Sequence, residues 1–183
     1  MAPIAPPLAI DIDGTMTRPD GGVDPRLFDR LRGWDAPVVV ATGKSFAYPV
    51  ALCTFVGIPD RVIAENGGIV YVDDSLTVEG DAATARRVAA DHDRTVVGSG
   101  YAYHVKSPDV SKATGLRRAA DLLDVDPNSF VAIGDSANDT ELFDAAGRSY
   151  AVVNADDDAR ERADTVTSRS FSDGLLEALD TLT

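Results

Sequence analysis

The sequence is poor in cysteine, because Cys53 is the single one among 183 residues. One thiol cannot form an intramolecular disulfide, and it excludes a metal site built from several cysteines. No apolar stretch approaches the length of a membrane-spanning helix. The first residues, MAPIAPPL, contain no basic segment followed by an apolar run. We therefore expect a cytoplasmic protein with a buried cysteine.

Lysine and glutamate are scarce as well. The chain has 3 Lys against 14 Arg and 5 Glu against 25 Asp, and its formal net charge is −13. Such a surface repels the phosphates of nucleic acids and anionic lipids, so we expect neither nucleic acid nor a membrane as a partner. An Asp-rich, Lys-poor composition resembles that of halophilic proteins, whose closely spaced carboxylates are screened by salt. Only carboxylates that lie within a motif are then candidates for chemistry.

Hydrophobic residues make up 44% of the chain, which is enough for the core of one domain with a small insertion. Short apolar runs alternate with helical patterns, and this alternation is typical of an α/β fold with helices on both faces of a parallel sheet. The predicted strands are 8–12, 37–41, 62–64, 130–133 and 150–153. The predicted helices are 25–33, 45–57, 112–124, 138–146, 156–162 and 172–181. Ligands of such sheets bind beyond the carboxyl ends of the strands.

The segment 68–107 interrupts this alternation. Its pattern predicts a hairpin over 69–78, a helix over 81–92 and a second hairpin over 95–105. We interpret it as a small α+β lid, inserted into a core formed by residues 1–67 and 108–183.

Acidic residues lie at the carboxyl ends of two of the predicted strands. The first strand ends in the sequence DIDGT, with Asp11 and Asp13, and the fourth is followed by GDSAND, with Asp135 and Asp139. An Asp-Gly turn alone would explain DIDGT. However, an aspartate inside an apolar run is costly to bury unless a metal or a partner compensates its charge. Carboxylates from two strand ends suit Mg²⁺, whereas a structural Ca²⁺ site would need a contiguous ligand loop that the sequence lacks.

Two further elements indicate a phosphate site. Thr42 and Gly43 end the second strand and precede a helix, where a hydroxyl and backbone N–H groups can bind a phosphoryl oxygen. Lys112 begins the helix that follows the lid, although the helix dipole disfavours a cation there. A scarce lysine at that position favours an anionic partner.

These motifs, in this order, resemble the four motifs of the haloacid dehalogenase-like (HAD) superfamily phosphatases: DIDGT, ATGK, the lysine of SPDVSKATGL, and GDSANDTELF. The lid lies between the second and third motifs, where the Cof-like branch carries its C2-type cap. Within that branch, AENGGIVY, SGYAYHV and GDSAND look most like archaeal phosphoglycolate phosphatases. The resemblance implies a Rossmann-like HAD fold with a small α+β C2-type cap.

The resemblance also implies roles for the motif residues. Asp11 would attack phosphorus and form an aspartyl-phosphate, and Asp13 would protonate the leaving alkoxide and then activate water. Mg²⁺ would be the cofactor, held by Asp11, the backbone carbonyl of Asp13, Asp135 and Asp139.

The remaining candidates concern the substrate. Thr42 and Gly43 would orient the phosphoryl group, and Lys112 would offset its charge. Asn66 is a candidate for substrate contact, but an Asn-Gly turn explains it equally well. His104 is a candidate contact of a substrate carboxylate, although a single histidine on a mixed strand is more often structural. Lys44 occupies a motif position at which the family varies, so its role stays open.

On this resemblance we expect a small phosphorylated metabolite as substrate, with 2-phosphoglycolate hydrolysed to glycolate and phosphate. A sugar-phosphate phosphatase of the Cof or sucrose-phosphatase type is the alternative with the same chemistry. A non-catalytic binding protein on the same fold is a second alternative, and the retained carboxylates and lysine of the motifs argue against it. The lid is shorter than family caps, so a homodimer in which a second subunit helps to cover the site stays open.

Overall fold

The computed structural model describes residues 5–78, 95–98, 103–106 and 109–183. The lid helix predicted at 81–92 lies outside these residues. Within the described ranges, strands and helices alternate as the sequence predicts. None of the described helices is long and apolar enough to cross a membrane.

The strands of the described residues form two sheets. In chain order they are β1 Leu8–Ile10, β2 Val38–Ala41, β3 Arg61–Ala64, β4 Ile69–Val72, β5 Ser75–Val78, β6 Thr95–Gly98, β7 Tyr103–Lys106, β8 Val131–Gly134, β9 Arg148–Ala151 and β10 Thr165–Val166. The large sheet has the order β10-β9-β8-β1-β2-β3-β4-β5. Its strands from β10 to β3 are parallel, and β4 and β5 are antiparallel to their neighbours.

Helices cover both faces of the large sheet, which confirms the α/β prediction. They are α1 Arg26–Arg32, α2 Ala47–Val56, α3 Lys112–Leu123, α4 Thr140–Ala145, α5 Asp157–Arg162 and α6 Phe171–Asp180. α1, α2 and α6 pack on one face, and α3, α4 and α5 pack on the other. Leu8 and Ile10 belong to the first core and Ala9 to the second, because side chains alternate along a strand. Cys53 is buried in the first core, as predicted.

The first predicted hairpin, β4 and β5, extends the large sheet. From the sequence we assign this hairpin to the lid, whereas β4 pairs with β3 at the edge of the parallel strands. The reason is the tight turn Glu65–Gly67, which reverses the chain directly after β3. A hairpin pattern indicates two paired strands but not the sheet that they join. The limits of the inserted lid stay a prediction.

The second predicted hairpin is confirmed by β6 and β7, which form a separate antiparallel pair with Val97 opposite His104. β6 lies next to the turn Ala137–Asp139 of the GDSAND motif. β10 is a strand that the sequence pattern does not indicate, because it has only two residues and both are exposed.

Candidate active site

The two acidic motifs meet at one edge of the large sheet. β1 and β8 are parallel neighbours, with Ile10 opposite Ile133. The backbone N–H of Asp11 donates to the carbonyl oxygen of Ile133 at 2.9 Å. Asp11 and Asp135 therefore leave the sheet side by side at the carboxyl ends of its central strands, as the sequence predicts.

Asp11, Asp135 and Asp139 form an acidic triad. One carboxylate oxygen of each lies within 4.8 Å of the others. Asp139 is fully buried, and its Oδ2 accepts backbone N–H bonds from Asp135 at 3.1 Å and from Ser136 at 3.2 Å. The side chain of Asp139 is thus fixed by the loop that carries Asp135.

Glycines allow the backbone to approach these carboxylates closely. A Cβ at Gly14 would lie 1.9 Å from Oδ2 of Asp135, and a Cβ at Gly134 would lie 2.5 Å from Cγ of Asp139. Any larger residue would displace a carboxylate of the triad. The glycine of DIDGT is therefore required by close packing against Asp135 as well as by the turn.

The charges of the triad fit a divalent cation. Burial, reinforced by the neighbouring carboxylates of Asp11 and Asp139, raises the pKa of Asp135 to about 9. Burial also raises the pKa of Asp11, although Lys112 opposes this effect. A divalent metal ion stabilises the ionised form of such groups. Three carboxylates at this separation are a donor set suited to a hard cation.

Lys112 lies between two members of the triad. Its buried Nζ is 2.7 Å from Oδ1 of Asp11 and 2.6 Å from Oδ1 of Asp139. Although burial alone lowers the pKa of this amine, Asp11 and Asp139 raise it above its usual value, so the side chain stays protonated. A cation in the first helical turn costs about 0.3–1 kcal/mol. Loss of a partner from a buried ion pair costs about 3–5 kcal/mol, so the carboxylates determine the position of Lys112.

The start of α3 is held by a cap and by a glycine. Thr114 N–H donates to Oγ of Ser111, and Ser111 N–H donates to Oγ1 of Thr114. Gly67, in the turn after β3, packs directly on this helix start, since a Cβ there would lie 2.0 Å from the carbonyl oxygen of Ser111. The turn and the cap together fix the backbone of Lys112.

Thr42 and Asn66 lie beside each other, and both are buried. Asn66 N–H donates to the carbonyl oxygen of Thr42 at 3.1 Å. Oδ1 of Asn66 accepts a hydrogen bond from Nδ2 of Asn138, also at 3.1 Å. Asn66 therefore links the turn after β3 to the GDSAND loop, and its contact with substrate stays a prediction. Gly43, next to Thr42, is half-buried.

Asp13 is not a member of the triad and is partly exposed. Its Oδ2 is 2.9 Å from Nζ of Lys44. This ammonium group also lies over the ring of Tyr48, 4.8 Å from its centroid. Lys44 belongs to the ATGK motif and Asp13 to the DIDGT motif. The sequence does not indicate that these two motifs are joined by an ion pair, so it predicts no role for Lys44.

Asn138 and Asn154 are structural residues of the site that the sequence did not indicate. Asn154 donates to the carbonyl oxygen of Gly14 at 3.1 Å and accepts from the N–H of Phe171 at 2.6 Å. It follows the last apolar run, so its position after a strand end is the signal that could have identified it. The side chain of His104 lies outside the described part of the chain, and its contact with substrate stays a prediction.

Known proteins resemble this chain over most of its length. The sequence profile of the haloacid dehalogenase-like hydrolases matches residues 82–179. A phosphoglycolate phosphatase of Natronomonas pharaonis is 50% identical, with 95% of this chain and 96% of the relative aligned. A phosphoglycolate phosphatase of Halobacterium salinarum is 46% identical, with 96% of each chain aligned.

The fold has counterparts among solved structures. A haloacid dehalogenase-like hydrolase from Bacteroides thetaiotaomicron superposes with a TM-score of 0.80 at 15% identity, covering 98% of this chain and 100% of the other. At this identity the similarity concerns the fold alone.

The relatives are longer than this chain. The alignment with the Natronomonas protein spans 217 positions, against 183 residues here, and still covers 96% of the relative. Most of the additional residues are therefore internal to the relative and have no counterpart in this chain.

Proposed function

This chain belongs to the haloacid dehalogenase-like hydrolases and is a phosphatase, and from this membership we propose that it hydrolyses 2-phosphoglycolate to glycolate and phosphate. The relatives that carry the name phosphoglycolate phosphatase support this substrate, since two of them are 46% and 50% identical to the chain. The single observation that carries the chemistry is the buried Lys112 between Asp11 and Asp139, at the carboxyl ends of β1 and β8.

We propose Mg²⁺ as the metal. Asp11, the backbone carbonyl of Asp13, Asp135 and Asp139 would hold it, and the spacing of the three carboxylates supports this assignment. When bound, the ion supplies positive charge that offsets the charge of the phosphoryl oxygens.

In the proposed reaction Asp11 is the nucleophile. One of its carboxylate oxygens forms a bond to phosphorus while the bond from phosphorus to the ester oxygen breaks, which leaves an aspartyl-phosphate. Lys112 supports this role because its ammonium group holds Asp11 in place and favours the ionised form of the carboxylate. The same charge stabilises the phosphoryl oxygens during transfer.

Asp13 is the proposed general acid and base. It donates a proton to the ester oxygen as glycolate leaves, and it then accepts a proton from the water that attacks the aspartyl-phosphate. Its partial exposure supports this role, because water must reach it in the second step. Thr42 and Gly43 are proposed to orient the phosphoryl group, and Asn66 and His104 remain candidate substrate contacts.

The alternatives differ in substrate or in chemistry. A sugar-phosphate phosphatase would use the same aspartates with a different leaving group. A non-catalytic binding protein would gain nothing from a lysine buried between two buried carboxylates, since burying charges costs more free energy than apolar packing at the same place.

A cytoplasmic location and a homodimer also stay predictions.

A phosphate-release assay with a panel of esters tests the proposed function. The panel contains 2-phosphoglycolate, sugar phosphates and nucleotides, with Mg²⁺ in concentrated KCl. We expect the highest kcat/KM on 2-phosphoglycolate, no release after chelation of the metal, and none from the Asp11→Asn variant. A clear preference for a sugar phosphate would favour the alternative substrate.

A further inference from the structure

One cation outside the buried cluster faces the site. Nζ of Lys44 lies 2.9 Å from Oδ2 of Asp13, and the two side chains are 34% and 36% exposed. Lys112, in contrast, is fully enclosed by Asp11 and Asp139. Lys44 is therefore a lysine that contacts a motif aspartate and is accessible to solvent.

The position of Lys44 is defined by the proposed role of Asp13. Asp13 delivers a proton to the ester oxygen, so the leaving group must lie beside its carboxyl group. In 2-phosphoglycolate a single methylene carbon separates the ester oxygen from the carboxylate. A cation in contact with Asp13 is therefore within reach of the substrate carboxylate.

The backbone of Lys44 is held by two hydrogen bonds, and its side chain makes two contacts at the surface. Its N–H donates to Oγ1 of Thr42 at 3.1 Å, and its carbonyl oxygen accepts from the N–H of Glu65 at 3.0 Å. The ammonium group is held by one carboxylate oxygen and by the face of the Tyr48 ring. Because these contacts are at the surface, exchanging one of them for a substrate carboxylate costs little.

The charge balance favours such a cation. The chain has a net charge of −13, and the substrate carries a phosphate and a carboxylate. Lys112 is engaged with two aspartates of the triad. Within the described ranges, Lys44 is the remaining lysine or arginine that pairs with an aspartate of the DIDGT and GDSAND motifs.

We propose that Lys44 is a specificity residue that binds the carboxylate of the leaving group. This inference rests on the proposed function. The inference assigns recognition of the leaving group to a residue of the enzyme core, in addition to any contact made by the lid. The sequence leaves the role of this motif position open.

Two esters and four variants test this inference, and one of the variants is His104→Gln. The esters are 2-phosphoglycolate and 2-hydroxyethyl phosphate, which replaces the carboxylate by a neutral hydroxymethyl group. Lys44→Met removes the charge and Lys44→Arg keeps it. Arg148→Met is the matched control, because Arg148 also lies over a tyrosine ring, that of Tyr150. It begins β9, so it lies at the amino ends of the parallel strands, whereas the site lies at their carboxyl ends.

The measured quantity is the ratio of kcat/KM for 2-phosphoglycolate to kcat/KM for the neutral ester. We expect Lys44→Met to lower this ratio about 10- to 100-fold, as for loss of a charged hydrogen bond. Most of this change should come from weaker binding of the charged ester, seen as a higher KM. Lys44→Arg should keep most of the ratio, and Arg148→Met should leave it unchanged.

Four results would overturn the inference. An equal fall of kcat for both esters in Lys44→Met would make Lys44 a positioning residue that acts through Asp13. An unchanged ratio would remove it from specificity altogether. A ratio altered by His104→Gln and not by Lys44→Met would assign the carboxylate to the lid. If the wild-type enzyme itself does not distinguish the two esters, the proposed substrate fails, and the inference fails with it.

Discussion

Gly14 and Gly21 share a backbone conformation but differ in their surroundings. Their φ angles are +78° and +82°. A Cβ at Gly14 would lie 1.9 Å from Oδ2 of Asp135, whereas a Cβ at Gly21 would meet nothing within 4 Å. Alanine strains the backbone alike at both positions. The two substitutions therefore separate backbone strain from displacement of Asp135.

Gly14→Ala is expected to lower the affinity for Mg²⁺ about 10- to 100-fold. This is the range for substitutions of residues that contact a metal ligand but do not bind the metal themselves. Gly21→Ala should keep the wild-type affinity. Calorimetric titration of both variants with Mg²⁺ measures the difference. Equal affinities in the two variants would show that Asp135 does not hold the metal.

Lys112→Met removes the ammonium group between Asp11 and Asp139. We expect kcat to fall about 100- to 1,000-fold, because the charge that stabilises the phosphoryl oxygens is lost. We also expect the metal-free protein to lose about 3 kcal/mol of unfolding free energy, since two buried carboxylates lose their partner. Steady-state kinetics and urea unfolding measure the two effects. Arg117→Met is the control, because Arg117 is exposed on the same helix, and a similar kcat in both variants would contradict the role of Lys112.

Helix α3 is the element that delivers Lys112, and Ser111 caps its first turn. Ser170 precedes α6 in the same way but makes no capping hydrogen bond with its side chain. Ser111→Ala should therefore cost about 1 kcal/mol of stability, the typical value for a lost cap, and Ser170→Ala should cost much less. We also expect a lower kcat for Ser111→Ala alone, because fraying of α3 moves Lys112. Equal stabilities and equal kcat values would show that the cap does not hold the site.

Elements differ in how far the sequence predicts them. β1, β2 and β8 are continuous apolar runs, because they are buried on both faces, and they are readily recognised. β4 and β5 are recognised as a hairpin, but their sheet is decided by the turn Glu65–Gly67. β10 gives no signal, since its two residues are exposed and their pairing with β9 depends on the packed neighbours.

The residues of the site likewise differ in how far the sequence predicts them. Asp11 and Asp135 could be predicted as neighbours, because parallel strands bring their carboxyl ends to one edge. The hydrogen bonds of Asn138 and Asn154 could not be predicted, because each joins loops that are far apart in sequence: Asn138 contacts Asn66, and Asn154 contacts Gly14. Such bonds depend on loop geometry that local patterns do not encode.

The whole molecule carries a large excess of negative charge. With a net charge of −13, self-repulsion destabilises the folded state when salt is low. Raising KCl from about 0.1 M to about 1 M shortens the screening length from about 10 Å to about 3 Å. We therefore expect the melting temperature to rise over this range, as measured by circular dichroism. A melting temperature that stays constant or falls would contradict a salt-adapted surface.

The length of the chain also bears on specificity. Its phosphoglycolate phosphatase relative from Natronomonas has internal residues without a counterpart here, and we expect them to belong to the lid. A smaller lid leaves more of the recognition to the core, which is where Lys44 lies.

Asp11 as the nucleophile is the central claim about the whole enzyme, and one measurement tests it directly. Asp13→Asn protein is mixed with Mg²⁺ and an aryl phosphate, whose leaving group needs no proton from Asp13. The protein is then quenched in acid and digested, and its peptides are analysed by mass spectrometry. We predict a phosphoryl group on Asp11, because the variant forms the aspartyl-phosphate but cannot activate water to hydrolyse it. A phosphoryl group on another residue, or full turnover without a covalent intermediate, would contradict this role of Asp11.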